Sequence, residues 1–219
     1  MKALKMPLLV FGIIVFIGLI LDFSVNDYIK LTTLFFLVNV LLSMSLNLVS
    51  GYTGQFSLGH AGFMAIGAYT TSILSDFFVV QGIQLGLFNF FISILAGGLL
   101  AGLAGFLVGQ PSLRLKGDYL AIVTLGFGEI VRVALLNMDF LGGARGYSGI
   151  LSIGDFLASF SMASFWAVLC YFLIYRLMKS SHGRSFLSVR EDEIAAESLG
   201  VNTTQAKVRA FMLSSFFAG

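Results

Sequence analysis

The chain consists of long apolar runs that alternate with short polar connections. A helix needs about 20 mostly apolar residues to cross the hydrocarbon core of a bilayer, and most of the runs approach that length. The pattern predicts six complete spans: Pro7–Phe23, Leu31–Val49, Phe63–Val80, Leu85–Gly109, Tyr119–Leu136 and Ala163–Met178. A further apolar run from Phe211 to Gly219 predicts the start of a seventh span. We therefore expect an all-α, polytopic transmembrane helix bundle, in which residues 1–219 form one transmembrane domain that is incomplete at its C-terminus.

Composition supports a membrane protein and narrows its chemistry. Hydrophobic residues make up 58% of the chain and charged residues 11%, whereas soluble domains carry about 25% charged residues. Membrane lipid is therefore an expected partner. Nucleic acid is not, because the net charge is only +2 and no basic run is present. Cys170 is the only cysteine, which excludes a disulfide framework and a cysteine-based metal site, and we expect neither a metal nor a cofactor.

The placement of lysine and arginine predicts the orientation. Cytoplasmic segments of membrane proteins carry an excess of these residues. With the N-terminus in the cytoplasm, ten of the thirteen lie on the cytoplasmic side: Lys2, Lys5, Arg114, Lys116, Arg176, Lys179, Arg184, Arg190, Lys207 and Arg209. Residues 179–209 then form a cytoplasmic loop. No small-residue cleavage site follows the first run, so we expect that run to remain as a membrane anchor.

The fourth predicted span carries a stripe of glycine. Gly98, Gly102, Gly105 and Gly109 recur at intervals of four, three and four residues, which places them on one narrow face of a helix. Small residues on such a face let two helix backbones approach closely. The stripe predicts a helix-packing surface in a multi-helix bundle.

A second glycine-rich stretch, "SGYTGQFSLGHAGF", separates the second and third predicted spans. Its candidate functional residues are Gly54, Gln55, Ser57 and His60. Irregular backbone at membrane depth is tolerated only inside protein or beside a water-filled cavity. Two interpretations therefore stay open: a cytoplasmic turn between spans, or a partly re-entrant segment that lines a transport path.

The fifth predicted span contains the charged residues Glu129 and Arg132. Residues three apart on a helix can pair, and charges within a membrane usually face a bundle interior or a cavity. The pair is either an ion pair that holds neighbouring helices together or a part of the transport path.

The cytoplasmic loop contains the acidic stretch "REDEIAAESLG". Ser188 followed by Glu191 resembles a capping box, and Gly200 suits the position after a helix end. We therefore predict a helix over Val189–Leu199, with Asn202 starting the next helix. So short a helix is marginal alone and has to pack either on its own membrane domain or on a separate cytoplasmic subunit.

The sequence contains no phosphate-binding GxxxxGK[ST] loop and no arrangement of residues typical of a hydrolase or a metalloprotease. We therefore expect a protein that is not an enzyme.

Three segments carry a family resemblance. "LVSGYTGQFSLGHAGFMAIGAYT", "LRLKGDYLAIVTLGFGEIVRVALLN" and "GRSFLSVREDEIAAESLGVNTTQAKVRAFMLSSFFAG" resemble the permease subunits of branched-chain amino acid ABC importers. The similarity extends from about Leu46 to Gly219. It implies a multi-pass permease in the bacterial inner (plasma) membrane, in a chain that continues beyond Gly219. It also implies three kinds of partner: a second homologous permease, two ATP-binding subunits and a periplasmic or extracytoplasmic substrate-binding protein.

The acidic stretch is similar to the importer motif E-A-A-x-x-x-G, which contacts the ATPase. Ala195, Ala196 and Gly200 fit its spacing, while Ile194 stands at the Glu position and Glu193 lies one residue early. The resemblance implies an ATPase-coupling role for seven residues: Glu191, Asp192, Glu193, Ala195, Ala196, Glu197 and Gly200. Whether Glu193 or Glu197 meets the ATPase stays open.

The predicted function is therefore the inward passage of branched-chain, hydrophobic amino acids, driven by ATP that a partner chain hydrolyses. One alternative is an importer of urea, amides or other small polar solutes. Another is a secondary transporter with Glu129 as its ion-coupling residue.

Overall fold

The structure, a computed structural model, describes residues 2–80, 87–112, 118–148 and 155–219. These residues form α-helices, turns and two short 3₁₀ helices, and no strand occurs among them. The predicted all-α class is therefore confirmed. The predicted fourth span begins at Leu85, which lies outside the described residues, as do Arg114 and Lys116.

The α-helices follow one another along the chain with short connections. They are α1 (Lys2–Ser24), α2 (Asp27–Ser50), α3 (His60–Val80), α4 (Leu87–Ser112), α5 (Asp118–Leu136), α6 (Phe156–Met178), α7 (Ser181–Glu191), α8 (Glu193–Ser198) and α9 (Thr203–Ala218). The 3₁₀ helices, Asp139–Leu141 and Gly143–Arg145, follow α5.

Among the described residues, five helices are long and apolar enough to cross a membrane. Their apolar segments are Pro7–Ser24, Asp27–Ser50, Phe88–Ser112, Tyr119–Leu136 and Phe156–Met178. The last of them starts at Phe156 rather than at the predicted Ala163. α3 covers the predicted third span as one helix but is not among the five.

The last helix, α9, joins two parts of the core. It packs against α2, α3, α4, α7 and α8. One core cluster consists of Val49, Phe63, Ala101, Leu120, Val208, Phe211 and Ala218. The other consists of Leu48, Cys170, Ile174, Phe186, Val189, Ala206 and Ala210. Because α9 contributes to both clusters, it connects the membrane helices to α7.

Close packing between α4 and α9 depends on the glycine stripe. A Cβ atom on Gly98 would lie 3.0 Å from the carbonyl oxygen of Phe216, and one on Gly105 would lie 2.3 Å from Ser215 Oγ. A Cβ atom on Gly102 would lie 3.3 Å from Phe216 Cβ. These three glycines therefore face α9, and the fourth member of the stripe, Gly109, is buried as well.

The outer surface of the bundle is strongly apolar. Large apolar side chains are exposed along α1, α2 and α5, among them Leu8, Leu9, Phe16, Phe35, Phe36, Ile122 and Ile130. Soluble monomers rarely expose contiguous apolar surface on this scale. These helix faces suit contact with lipid or with other membrane helices.

Replacing Gly105 with alanine tests the α4–α9 contact. The new Cβ would lie 2.4 Å from Ser215 Cβ, so the helices have to move apart. Overpacking of this kind costs about 1–3 kcal/mol, against a gain of about 1 kcal/mol from the better helix propensity of alanine. We expect a lower midpoint of thermal unfolding in detergent. Gly126→Ala is the matched control, because nothing lies within 4 Å of its Cβ position, and that variant should unfold at or above the wild-type midpoint. Equal midpoints for the two variants would contradict the close-packing account.

Candidate functional site

The acidic segment, here residues 191–200, is not part of one continuous helix, because the chain bends at Asp192. α7 continues to Glu191, α8 begins at Glu193, and Asp192 between them is extended, with φ −159° and ψ 113°. The predicted single helix over Val189–Leu199 is therefore wrong. The chain changes direction at Asp192, inside the region that the sequence pattern assigned to the first helical turn.

The cause is a competing helix cap. The Asp192 carboxylate accepts the backbone N–H groups of Ile194 and Ala195 at 2.9 and 3.1 Å, which makes Asp192 the N-cap of α8. Ser188, the predicted N-cap, instead donates its hydroxyl to the carbonyl of Ser185 within α7. Aspartate is among the most favoured N-cap residues, and its side chain offers the backbone an alternative to continuing a helix.

At the C-terminal end of the acidic segment, Gly200 follows the helix end as the sequence predicted. Gly200 has φ +84°, its N–H donates to the carbonyl of Glu197 at 2.9 Å, and the N–H of Val201 donates to the carbonyl of Ala196 at 3.0 Å. This pair of bonds is the Schellman motif, in which glycine is preferred because its φ is positive. Asn202 then caps α9 by accepting a backbone N–H group.

A buried ion pair fixes α8 on α9. The ammonium group of Lys207 lies 2.6 Å from a carboxylate oxygen of Glu193. The Lys207 side chain is 3% exposed and that of Glu193 is 26% exposed. A charged group that is buried away from water is stable only when it is paired. Glu193 therefore has its partner within its own chain.

The remaining carboxylates of the acidic segment also have partners within the chain. The hydroxyl of Thr203, the first residue of α9, donates to Glu197 at 2.6 Å. Glu191 accepts the Nε of Arg190 at 3.1 Å. Both carboxylates considered for an ATPase contact, Glu193 and Glu197, therefore attach the acidic segment to α9.

The exposed part of the acidic segment includes two large apolar side chains. Ile194 is 72% exposed and Leu199 is 85% exposed, whereas Ala196 is buried. Ala195 is exposed as well, together with the charged residues Glu191, Asp192 and Glu197. Ile194 and Leu199 are apolar side chains that a partner can cover.

The loop between α2 and α3, residues 51–59, lies against both α7 and α5. Arg190 at the end of α7 donates to the carbonyl of Gly51 at 3.2 Å. At the other end of the loop, the N–H of Leu58 donates to Thr124 Oγ1 on α5 at 3.1 Å. The loop is therefore packed between α7 and the apolar helix α5.

Three predicted transport-path residues lie within this loop. Gly54 has φ +68° and lies beside Arg190. The side-chain amide of Gln55 donates to the carbonyl of Thr53 at 3.3 Å. Ser57 is buried, and its hydroxyl has no hydrogen-bond partner among the described residues.

His60, the first residue of α3, joins a network with α2 and α9. Its Nε2 lies 2.7 Å from Ser45 Oγ. The Ser45 hydroxyl also lies 2.8 Å from the carbonyl oxygen of Leu42, so this one hydroxyl contacts both the imidazole and the backbone of α2. Ser214 of α9 donates to the carbonyl of Ser45 at 2.6 Å. His60 thus lies at a junction of three helices.

Glu129 and Arg132 form the ion pair that their spacing suggested, with Arg132 Nη2 2.7 Å from a Glu129 oxygen. Both side chains are more than half exposed and lie on the outer face of α5. Among the described residues, Glu129 and Arg132 bond to each other and not to Gly54, Gln55, Ser57 or His60. A mainly apolar cavity of about 320 Å³ lies between α2, α3, α4, α6 and the last turn of α9, and none of the predicted transport-path residues lines it.

The sequence patterns missed three residues that organise this site: Arg190, Lys207 and Thr203. Their partners are distant in sequence or separated by a turn, so no local motif marks them. The one usable signal was Lys207 itself, because a lysine inside an apolar stretch requires a nearby acid.

Replacing Lys207 with methionine tests the tether between α8 and α9. The change leaves Glu193 without its charge partner. We expect a loss of about 2–3 kcal/mol in the free energy of unfolding, somewhat below the roughly 3–5 kcal/mol for fully buried pairs, because Glu193 keeps some contact with water. Amide exchange over residues 193–200 should also become faster. Arg209→Met is the control, because Arg209 is exposed and makes only a 3.4 Å contact with Gln205. Unchanged exchange in Lys207→Met would contradict the tether.

Comparisons with known proteins address the whole chain. A family model described as the permease component of the branched-chain amino acid transport system matches residues 28–219. The high-affinity branched-chain amino acid transport system permease proteins LivM of Salmonella typhimurium and Escherichia coli are each 39% identical over 214 residues, which cover 84% of this chain and 48% of the relative. The probable branched-chain amino acid transport permease protein LivM of Methanocaldococcus jannaschii is 27% identical over 225 residues, covering 86% of this chain and 64% of that protein. No solved structure gives a significant match.

The chain spans about half the length of the two bacterial relatives. The family match begins at the start of α2 and includes the loop 51–59, the acidic segment and α9. Together with the five apolar helices, this match indicates a multi-pass membrane protein. The chain belongs to the family of branched-chain amino acid transport permease components.

Proposed function

We propose that this chain is part of a permease subunit of an ATP-binding cassette importer that moves branched-chain amino acids into the cytoplasm. The observation that carries the proposal is the family match over residues 28–219. Its partners are separate ATPase subunits, a second homologous permease and an extracytoplasmic substrate-binding protein. The names of the bacterial relatives support the substrate class.

The proposed topology has six complete spans and the start of a seventh in α9, with the N-terminus and the loop 179–209 in the cytoplasm of a bacterial cell. The contact between Arg190 and Gly51 supports it. Because the loop after α2 touches a helix after α6, the chain crosses the membrane an even number of times between them. The helices α4, α5 and α6 supply three crossings, and the proposed topology assigns the fourth to α3. α1 and α2 then return the N-terminus to the same side.

We further propose that the acidic segment, residues 191–200, is the contact with the ATPase. Ile194 and Leu199 supply the apolar contact surface. Asp192 and Gly200 form the two bends that present this surface. The small side chains of Ala195 and Ala196 add little bulk to the segment between them. Glu191, Glu193 and Glu197 hold the segment on its own chain, so they contribute to coupling by transmitting force rather than by binding the ATPase.

Force from the ATPase reaches the membrane through α9. Glu193 and Glu197 attach the acidic segment to Lys207 and Thr203 at the start of that helix. α9 packs on α2, α3 and α4, with glycine at the α4 contact. Closely packed helices move as units rather than deforming continuously. A push on the acidic segment is therefore passed to the bundle that alternates between outward- and inward-facing states.

An uptake assay tests the proposed function. With the ATPases, the second permease and the binding protein present, radiolabelled leucine should enter proteoliposomes only when ATP is supplied on the cytoplasmic side. ATP-dependent uptake of urea or amides, but not leucine, would favour the polar-solute alternative. Uptake driven by a proton or sodium gradient without ATP would favour a secondary transporter.

Polar substitutions test the contact surface. Changing Ile194→Ser together with Leu199→Ser removes two side chains that become buried when the ATPase binds. We expect a loss of about 3 kcal/mol, or roughly 100-fold weaker ATPase association, with normal membrane insertion. The control is Ile194→Val with Leu199→Met, which keeps the surface apolar and should keep binding near the wild-type level. Equal binding by the polar and apolar pairs would rule out this surface.

Cysteine labelling tests the topology, including the crossing by α3. Single cysteines at Phe56, Phe140 and Arg184 are made in a background without other cysteines and treated with a membrane-impermeant reagent. Phe56→Cys and Arg184→Cys should react only from the cytoplasmic side, because an even number of spans separates them. Phe140→Cys should react only from the outside. Labelling of Phe56→Cys and Arg184→Cys from opposite sides would show that α3 does not cross.

A further inference from the structure

Arg190 occupies an unusual place between the acidic segment and the membrane domain. It lies in the last turn of α7, two residues before the bend at Asp192. Its neighbour Val189 is buried in the core cluster that includes Ala206 and Ala210 of α9. The last turn of α7 is therefore packed on α9, and the N–H of Asp192 bonds to the carbonyl of Ser188 in that turn, so we expect a displacement of the acidic segment to displace Arg190 as well.

The Arg190 side chain reaches the loop 51–59 in two ways. Its Nη1 donates to the carbonyl of Gly51 at 3.2 Å. Its aliphatic stem lies on Gly54, where a Cβ atom would be 3.1 Å from Arg190 Cγ. Gly54 also has φ +68°, a conformation that glycine adopts without strain. Glycine at this position thus permits both the loop geometry and the close approach of the arginine.

Glu191 orients the guanidinium group. Its carboxylate accepts Nε of Arg190 at 3.1 Å and leaves Nη1 directed at the loop carbonyl. A planar guanidinium can make these separate hydrogen bonds at fixed angles, whereas the single ammonium group of a lysine cannot. The contact therefore depends on arginine in particular.

The far side of the loop is packed tightly on α5. Leu58 donates its N–H to Thr124 Oγ1 at 3.1 Å. A Cβ atom on Gly59 would lie 2.3 Å from the carbonyl oxygen of Thr124, and one on Gly62 would lie 3.1 Å from the Cα of Gly128. Backbone touches backbone at these points. Movement of the loop is consequently passed to α5 rather than absorbed by side chains.

We propose that Arg190 is a positioning residue that links the acidic segment to the loop 51–59 and, through that loop, to α5. The proposal rests on the proposed ATPase contact at residues 191–200. It adds a second route into the membrane domain, separate from the Lys207 tether that leads to α9. The two routes end on different helices, so one motion of the acidic segment acts on α5 and α9 together.

The test compares Arg190→Gln with Arg184→Gln in the assembled importer. Arg184 is an exposed arginine of the same helix, and its variant removes the same charge without touching the loop. We expect Arg190→Gln to assemble and hydrolyse ATP normally while leucine transported per ATP hydrolysed falls about 10-fold, within the 5- to 150-fold range typical of coupling between sites. Arg184→Gln should keep the wild-type ratio. A purely structural role would lower assembly, ATP hydrolysis and uptake together and leave their ratio unchanged, and that result would overturn the proposal.

A second variant tests the same contact from the loop side. Gly54→Ala places a methyl group against Arg190 and should lower the transport ratio in the same way. Alanine also strains the loop at φ +68°, so the same change is made beside Arg190→Ala, which removes the Cγ that the methyl group meets. If the two residues act through one contact, Gly54→Ala should lower the ratio by a smaller factor in the Arg190→Ala chain than in the wild-type chain. An equal factor in both chains would show that the two residues act separately and would overturn the link.

Hydrogen–deuterium exchange distinguishes failure of this link from failure of the proposed function. In the permease without its ATPase, Arg190→Gln should speed exchange at the amides of Gln55 and Leu58, while Arg184→Gln should not. If the wild-type importer shows no ATP-driven uptake, the proposed function fails, but this exchange comparison still tests the contact. Unchanged exchange at both amides would overturn the link itself.

Discussion

The pair between the buried Lys207 and Glu193 is the interaction on which the arrangement of α7, α8 and α9 depends. Lys207 lies within a helix of small and apolar residues and is almost completely shielded from water. An unpaired ammonium group there would cost several kcal/mol, so a carboxylate has to reach it. The chain satisfies this requirement with a residue 14 positions earlier, and it can do so only by turning back. The bend at Asp192 and the positive φ of Gly200 are the local means by which the acidic segment returns to α9.

The glycine contact between α4 and α9 extends this constraint into the membrane domain. Because Gly98 and Gly105 bring the two helices close, α9 cannot shift without moving α4. The same helix contributes Phe211 and Ala218 to the core shared with α2, α3 and α5. The first turns of α9 are bonded to the acidic segment, and its last turns are packed into the bundle. This arrangement makes α9 a rigid connection between the two regions.

The sequence predicted the helices well because a membrane span has a simple signature, a run of apolar residues of fixed length. It also predicted the end of α8 at Gly200 and the start of α9 at Asn202, because glycine and asparagine have strong positional preferences at helix ends. It failed at Asp192, where two good N-caps, Ser188 and Asp192, compete within five residues. Local preference alone does not rank them. The contact between Glu193 and Lys207, which the chain reaches by bending at Asp192, favours Asp192 as the N-cap.

The parts of the site that the sequence did not predict are contacts between distant residues. Arg190 meets Gly51, which lies 139 positions away, and Leu58 meets Thr124, which lies 66 positions away. No periodicity or local motif encodes such pairs, since they arise when separate helices pack. The same limit applies to the Glu129–Arg132 pair. Its spacing indicated an ion pair, but only packing shows that the pair faces outward from the described bundle.

The arrangement of the acidic segment also explains a departure from the importer motif. In this chain Ile194 stands where the motif has glutamate, and Glu193 takes the tethering position one residue earlier. Since Glu193 and Glu197 bond to residues of α9, the large apolar side chains left for a partner are Ile194 and Leu199. Under the proposed function, burial of these apolar side chains binds the ATPase. The polar contacts of Glu193 and Glu197 with α9 then transmit its movement to the rest of the chain. These two kinds of interaction differ in their response to salt. The apolar part of ATPase binding, at Ile194 and Leu199, should depend little on ionic strength, because salt does not screen apolar contacts.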